Sequence, residues 1–130
     1  MKYLFLLSLL FALSISHSAL ADEIYDKCME NSDGKNSSWD ACGYEWEERA
    51  DEMLNEAWQA LYQTTSGQTK IDLLAEQRAW NDYKEESCNF LRNGEWGREG
   101  TVLHYHICRA KAIESRAEEL QRYEAQLREQ

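Results

Sequence analysis

The sequence predicts an all-α protein: an up-down-up bundle of three long helices behind a short N-terminal helix, stapled by disulfides. Three observations carry this expectation. The 130 residues contain no proline, so nothing removes a donor from a helical hydrogen-bond ladder. Apolar residues recur at 3.6-residue spacing in three long segments, and no two-residue alternation of strand type competes with them. Four cysteines, Cys28, Cys42, Cys88 and Cys108, stand in a chain that opens with an export signal.

The export signal occupies residues 1–21. Lys2 supplies the charged start, Tyr3 to Ile15 (YLFLLSLLFALSI) the apolar run, and Ala19-Leu20-Ala21 the small-x-small cleavage site, so the mature chain is expected to begin at Asp22. The run is shorter than the roughly 20 apolar residues that span a bilayer. Cys28 follows Tyr25-Asp26-Lys27 rather than a lipobox, which predicts a soluble periplasmic or secreted product with no membrane attachment after cleavage. Residues 22–130 then form one domain, since 109 residues are too few for two cores.

Each element has its own signal. Residues 22–31 are read as a short helix with Ile24 and Cys28 on one side, and Asn31 to Ser38 (NSDGKNSS) as a polar loop. From Ser38 as N-cap, Cys42, Trp46, Ala50, Met53/Leu54, Ala57/Trp58 and Leu61 make a helical stripe that ends at Thr65. Thr69, with Asp72 three residues on, reads as the capping box of a second long helix. Its inward candidates are Leu73, Leu74, Gln77, Trp80, Cys88 and Leu91. Asn93 to Gly100 (NGEWGREG) breaks the pattern. After Thr101 a third helix follows, with Leu103, Ala110, Ile113, Ala117, Leu120 and Leu127 at heptad-like spacing. The six glycines all lie beyond the leader and are read as sitting at or near breaks in periodicity. Short connections between long helices imply antiparallel neighbours, hence the up-down-up order.

Four cysteines allow three pairings. In an antiparallel hairpin Cys88, near the end of the second long helix, faces Cys108, about two turns into the third. Cys28 and Cys42 flank the polar loop. The preferred pairing is therefore 28–42 with 88–108, and the crossed pairings stay open.

Cleavage removes Lys2 and takes the formal charge from −10 to −11, with 13 Lys and Arg against 24 Asp and Glu. Such a surface disfavours nucleic acid and anionic membranes, which demand cationic contacts; it reads first as a charge that keeps the protein soluble, and among partners it favours a basic protein. Catalysis finds little support. His104 and His106 point about 200° apart on a helix and cannot share an ion, no CxxC or HxxxH spacing occurs, and paired cysteines offer no thiolate. No cofactor is implied. Ser87 and Ser115 lack a glycine elbow, and carboxylate pairs such as Glu47-Glu48 merge into the acidic background.

Four spaced motifs remain. Asp51-x-x-Leu54-Asn55-x-x-Trp58-x-x-Leu61 lies on the first long helix and Gln77-x-x-Trp80 followed by Cys88 on the second; Cys108, Arg116 and Leu120 lie on the third. In this order they resemble the small exported domain family named after the lysozyme inhibitor LprI, over roughly Cys42 to Leu120. The resemblance implies a helical, disulfide-containing, non-catalytic domain with lysozyme inhibition as its activity. This chain departs from the family pattern at Trp58, where Tyr is common, at Lys84-Glu85, where Arg-Asp is common, and at Ile113, where Thr is common. It also lacks the namesake's lipobox.

The motif residues read mainly as structural. Leu54, Trp58 and Leu61 share one helix face, Asn55 and Gln77 are expected in buried or interhelical hydrogen bonds, and Arg116 in a pair with a carboxylate of a neighbouring helix. For binding, the loop Glu95, Trp96, Arg98 and Glu99 stands out, since Trp and Arg are common interface anchors. Trp96 either anchors a partner or folds back over the bundle end near Cys88 and Phe90. The functional expectation is an exported protein that occludes the cleft of a basic lysozyme. The alternative is an envelope interaction or immunity-type module for another exported protein or cell-wall enzyme. Oligomeric state is left open, although the charged tail Glu118 to Gln130 could pair with a second copy.

Overall fold

A computed structural model describes residues 22–130, and the leader assigned to residues 1–21 lies outside the described residues. The fold is all-α. Helix α1 spans Glu23–Glu30, α2 Asn36–Thr64, α3 Gly67–Asn89 and α4 Tyr105–Arg128, with the three long helices running up, down and up. Among the described residues no helix is long and apolar enough to cross a membrane.

Asp22 caps α1: its carboxylate accepts the Tyr25 N–H at 2.8 Å and also pairs with Arg49 of α2 at 2.8 Å. The inward residue of α1 is Tyr25, not Ile24. Tyr25 is buried with its ring 4.9 Å from that of Trp46, whereas Ile24 is 57% exposed. The reason is the short length of α1: only one stripe of it meets α2, and the larger ring takes that stripe.

Helix α2 begins at Asn36, ahead of the expected Ser38 cap. The Ser38 hydroxyl is spent instead on Asp33, donating to its Oδ1 at 2.6 Å, and the same oxygen accepts the Lys35 N–H at 3.1 Å. Helix α3 also starts early. The chain turns through Ser66 and Gly67, whose φ is +55°, so Thr69 already lies in the first turn rather than at the cap. Asp72 accepts a hydrogen bond from the Gln68 side chain at 2.8 Å instead of closing a capping box.

The segment expected as a break before the third helix is a run of short helical turns. Phe90–Arg92 and Gly94–Trp96 are 3₁₀ turns, Gly97–Glu99 is a single α turn, and Gly100–His104 is a wide π turn leading into α4. Gly100 is buried, and a Cβ there would collide with the Leu91 carbonyl and the Trp96 side chain. Its missing side chain lets the tip fold down onto the end of α3.

The tightest helix pair is α2 with α4. Ala50, Leu54, Ala57 and Leu61 of α2 interlock with Ile113, Ala117 and Leu120 of α4, with Trp58, Leu73, Trp80 and Leu127 packed around them. A second cluster of Tyr25, Cys42, Trp46 and Ala110 joins α1 to the same pair. Small alanines on both helices permit the close approach. Gly43 does the same at the start of α2: a Cβ there would strike the His106 side chain. It therefore sits inside a helix, not at or near a break in periodicity as expected of the glycines.

Helix α3 is attached differently. It packs mainly on α4 and carries few buried side chains, with Ile71 and Tyr83 exposed. Polar groups hold it. Arg116 of α4 donates to Gln77 Oε1 at 2.9 and 2.8 Å and pairs with Glu76 of α3 and Glu119 of α4. Arg109 reaches both carboxylate oxygens of Glu85 at 2.6 and 2.7 Å. Cys88–Cys108 joins α3 to α4 and Cys28–Cys42 joins α1 to α2, each with a Cα separation of 5.7 Å. This is the pairing that the bundle geometry favoured.

Candidate functional site

The loop singled out by sequence forms a tip at the stapled end of the bundle. Trp96 sits between Phe90 and His104 in edge-on arrangements, with ring centroids 5.7 and 6.3 Å away. It does fold back onto the bundle end, yet 46% of it stays exposed, and Phe90 is 53% exposed. Asn93 accepts the Glu95 N–H at 3.0 Å and starts the turn that carries the indole. Glu95, Arg98 and Glu99 surround it as exposed charges. Arg92 lies over the neighbouring Tyr105 ring at 4.7 Å, which closes one side of the cluster. Together these form an aromatic knob ringed by charge beside Cys88–Cys108.

The motif residues divide by role. Leu54, Leu61 and Leu120 are buried in the core, and Arg116 is 2% exposed in its interhelical pair with Glu76. Burial alone would lower the Arg116 pKa, but Glu76 and Glu119 outweigh it and hold the guanidinium charged. Gln77 makes the expected interhelical bond. Asn55 does not lie in the interior. It is exposed and lines a cleft where α3 stands away from α2, together with Asp51, Leu54, Trp58, Gln77, Asn81 and Lys84. The cleft encloses about 300 Å³. Partial loss of water at the cleft mouth raises the pKa of the otherwise exposed Asp51 carboxyl, against the opposing pull of Lys84 and Arg109. Trp80 packs against the core, with Lys84 and Arg116 within 5.2 and 5.6 Å of its ring.

A third arrangement was missed by sequence reasoning. His106 directs Nε2 to Asp40 at 2.9 Å and Nδ1 to Glu47, both on α2. Glu47 in turn accepts from Arg109 Nε at 2.7 Å, and Arg109 continues to Glu85. This relay crosses all three long helices. The Glu47 hydrogen bond raises the His106 pKa against the opposing effect of burial, with Asp40 adding to the rise. The Arg109 bond holds Glu85 below the ordinary carboxylate range. His104, the last residue of the π turn, instead faces Trp96, so the two histidines have different neighbours. Among the described residues, no cluster of His, Cys, Asp and Glu is arranged to hold a metal ion.

Charge is concentrated on α2, which carries Asp40, Glu45, Glu47, Glu48, Asp51, Glu52 and Glu56 against Arg49 alone. All seven acids except Glu47 are exposed.

A family model described as "Lysozyme inhibitor LprI" matches residues 28–120. No curated protein and no solved structure matches the chain.

Proposed function

The chain belongs to the lysozyme inhibitor LprI family, and from that premise we propose that it is an exported, non-catalytic inhibitor that binds a basic lysozyme and occludes its cleft. One observation carries the reading. Trp96 is half exposed yet held between Phe90 and His104, so the molecule presents a large aromatic side chain whose ordering cost is met before any partner arrives. Glu95, Arg98 and Glu99 supply the polar rim that a hot-spot aromatic needs. The acidic face of α2, within a mature charge of −11, steers a cationic enzyme toward the molecule.

The test is a turbidimetric lysis assay with oxidised mature protein and an animal-type lysozyme. Inhibition is expected at about 1 µM in low salt, weakening as ionic strength rises. Trp96→Ala should weaken inhibition about tenfold or more while leaving the helical circular dichroism unchanged. Full lysozyme activity at micromolar inhibitor in low salt would end the proposal. Inhibition that survives Trp96→Ala would remove the tip from it.

A further inference from the structure

We propose that the cleft between α2 and α3 is a second binding site, which takes the acetamido group and ring of a neutral N-acetylated sugar. It lies on a different part of the molecule from the Trp96 tip, and its test does not depend on lysozyme.

The donor wall comes from Lys84 and Gln77. Only 9% of the Lys84 side chain is exposed, an uncommon position for an ammonium group. Its ion pair is a long one, 3.4 Å to Glu85 Oε1, because Glu85 is already held through both oxygens by Arg109 at 2.6 and 2.7 Å. Lys84 therefore has donor capacity that Glu85 does not absorb. Gln77 spends its carbonyl oxygen twice on Arg116, so the end it can offer to the cleft is its NH₂ group.

The opposite wall accepts. Asp51 feels Lys84 through space, and its carboxylate at the cleft mouth can accept a donated hydrogen bond. One positive and one negative group facing each other favour a ligand with no net charge. A secondary amide fits this pattern, its carbonyl accepting from Lys84 or Gln77 while its N–H donates to Asp51. Trp58 and Leu54 give the apolar surface that a methyl group and a pyranose face require. The Trp58 ring is held in place by stacking on Tyr62, 5.4 Å away at 25°. Asn55 and Asn81 bring planar amides that donate and accept side by side, as neighbouring hydroxyls do. The volume, about 300 Å³, suits one ring-sized unit rather than an extended chain.

The experiment uses oxidised mature protein and saturation-transfer NMR backed by calorimetry. The probes are the trimer of N-acetylglucosamine, cellotriose as the same neutral backbone without acetamido groups, and N-acetylalanine methylamide as a peptide source of the amide. The acetamido trimer should bind saturably with Kd of about 1 mM or tighter, and cellotriose about tenfold more weakly. Asp51→Ala and Asn81→Ala, both at exposed positions, should weaken binding about tenfold with unchanged melting, and Trp96→Ala should leave it unchanged. Lys84→Met tests the buried ammonium in the same way. The assignment is overturned if the trimer shows no saturable binding at ~10 mM, if cellotriose or the peptide amide binds as well, or if the cleft variants bind like the parent.

Discussion

His106 places both ring nitrogens against carboxylates, Asp40 and Glu47, under the cover of the α2–α4 contact. Arg109, one turn along α4, shares Glu47 and ties it to Glu85 of α3, so the histidine titrates among two acids and one fixed cation. Its pKa is raised in the folded state. The stabilisation is thus fully present below the unfolded-state value of about 6.5 and is lost as pH rises through the raised folded-state value. Thermal melts should show the midpoint falling as pH increases across that window, and His106→Gln should flatten the slope. Equal slopes in the two proteins would show that the relay carries no linkage. None of this was legible in the chain. His106 could be tested only against the nearby His104, whereas its partners lie 59 and 66 residues away among many similar acids. Arg116 was easier, because an arginine at a core-facing position of an amphipathic helix must find a carboxylate, and Glu76 and Glu119 provide it.

At the level of the helices, the long stripes were readable because burial of α2 and α4 follows the 3.6-residue period: Leu54, Ala57, Leu61, Ile113, Ala117 and Leu120 all lie where periodicity placed them. Helix starts were less so. Ser38 and Thr69 are good capping residues, but Asp33 and the Gly67 turn decide the start points. The looseness of α3 was also hidden, since its apolar spacing does not reveal that its attachment runs through Arg109 and Arg116. Gly43 marks a close approach of α2 to α4. Alanine normally gains about 1 kcal/mol over glycine within a helix, yet here the added methyl must displace the His106 side chain. Overpacking should win, so Gly43→Ala is expected to destabilise by about 1–3 kcal/mol in urea unfolding. Gly94→Ala, where a Cβ meets nothing, is the control and should change stability by no more than about 0.5 kcal/mol. A neutral or stabilising Gly43→Ala would mean that the helices separate freely there.

Over the molecule as a whole, the class and the helix order followed from apolar periodicity and the missing proline, and hairpin geometry favoured the observed disulfide pairing among three, while the α2–α3 cleft was not legible. Its residues, Asp51, Asn55, Gln77 and Lys84, look like ordinary surface or core positions until the standing-off of α3 from α2 leaves them around one opening. The bridges close segments 14 and 20 residues apart, for which loop entropy gives roughly 3 kcal/mol each. The double variant Cys88→Ser/Cys108→Ser should lose about that much in denaturant unfolding, and an unchanged midpoint would show that this bridge adds nothing. Both bridges lie at the same pole, because α2 and α4 run parallel and Cys42, Cys88 and Cys108 all reach it, while the turn at Thr65 and Ser66 and the last turns of α4 lie at the other. The molecule is thus built like a clothes-peg, with its spring beside Trp96 and its legs held only by packing and by the non-covalent Arg116 pairs. Heat or denaturant should open the legs first, leaving the indole on its covalent mount after the far end has begun to fray.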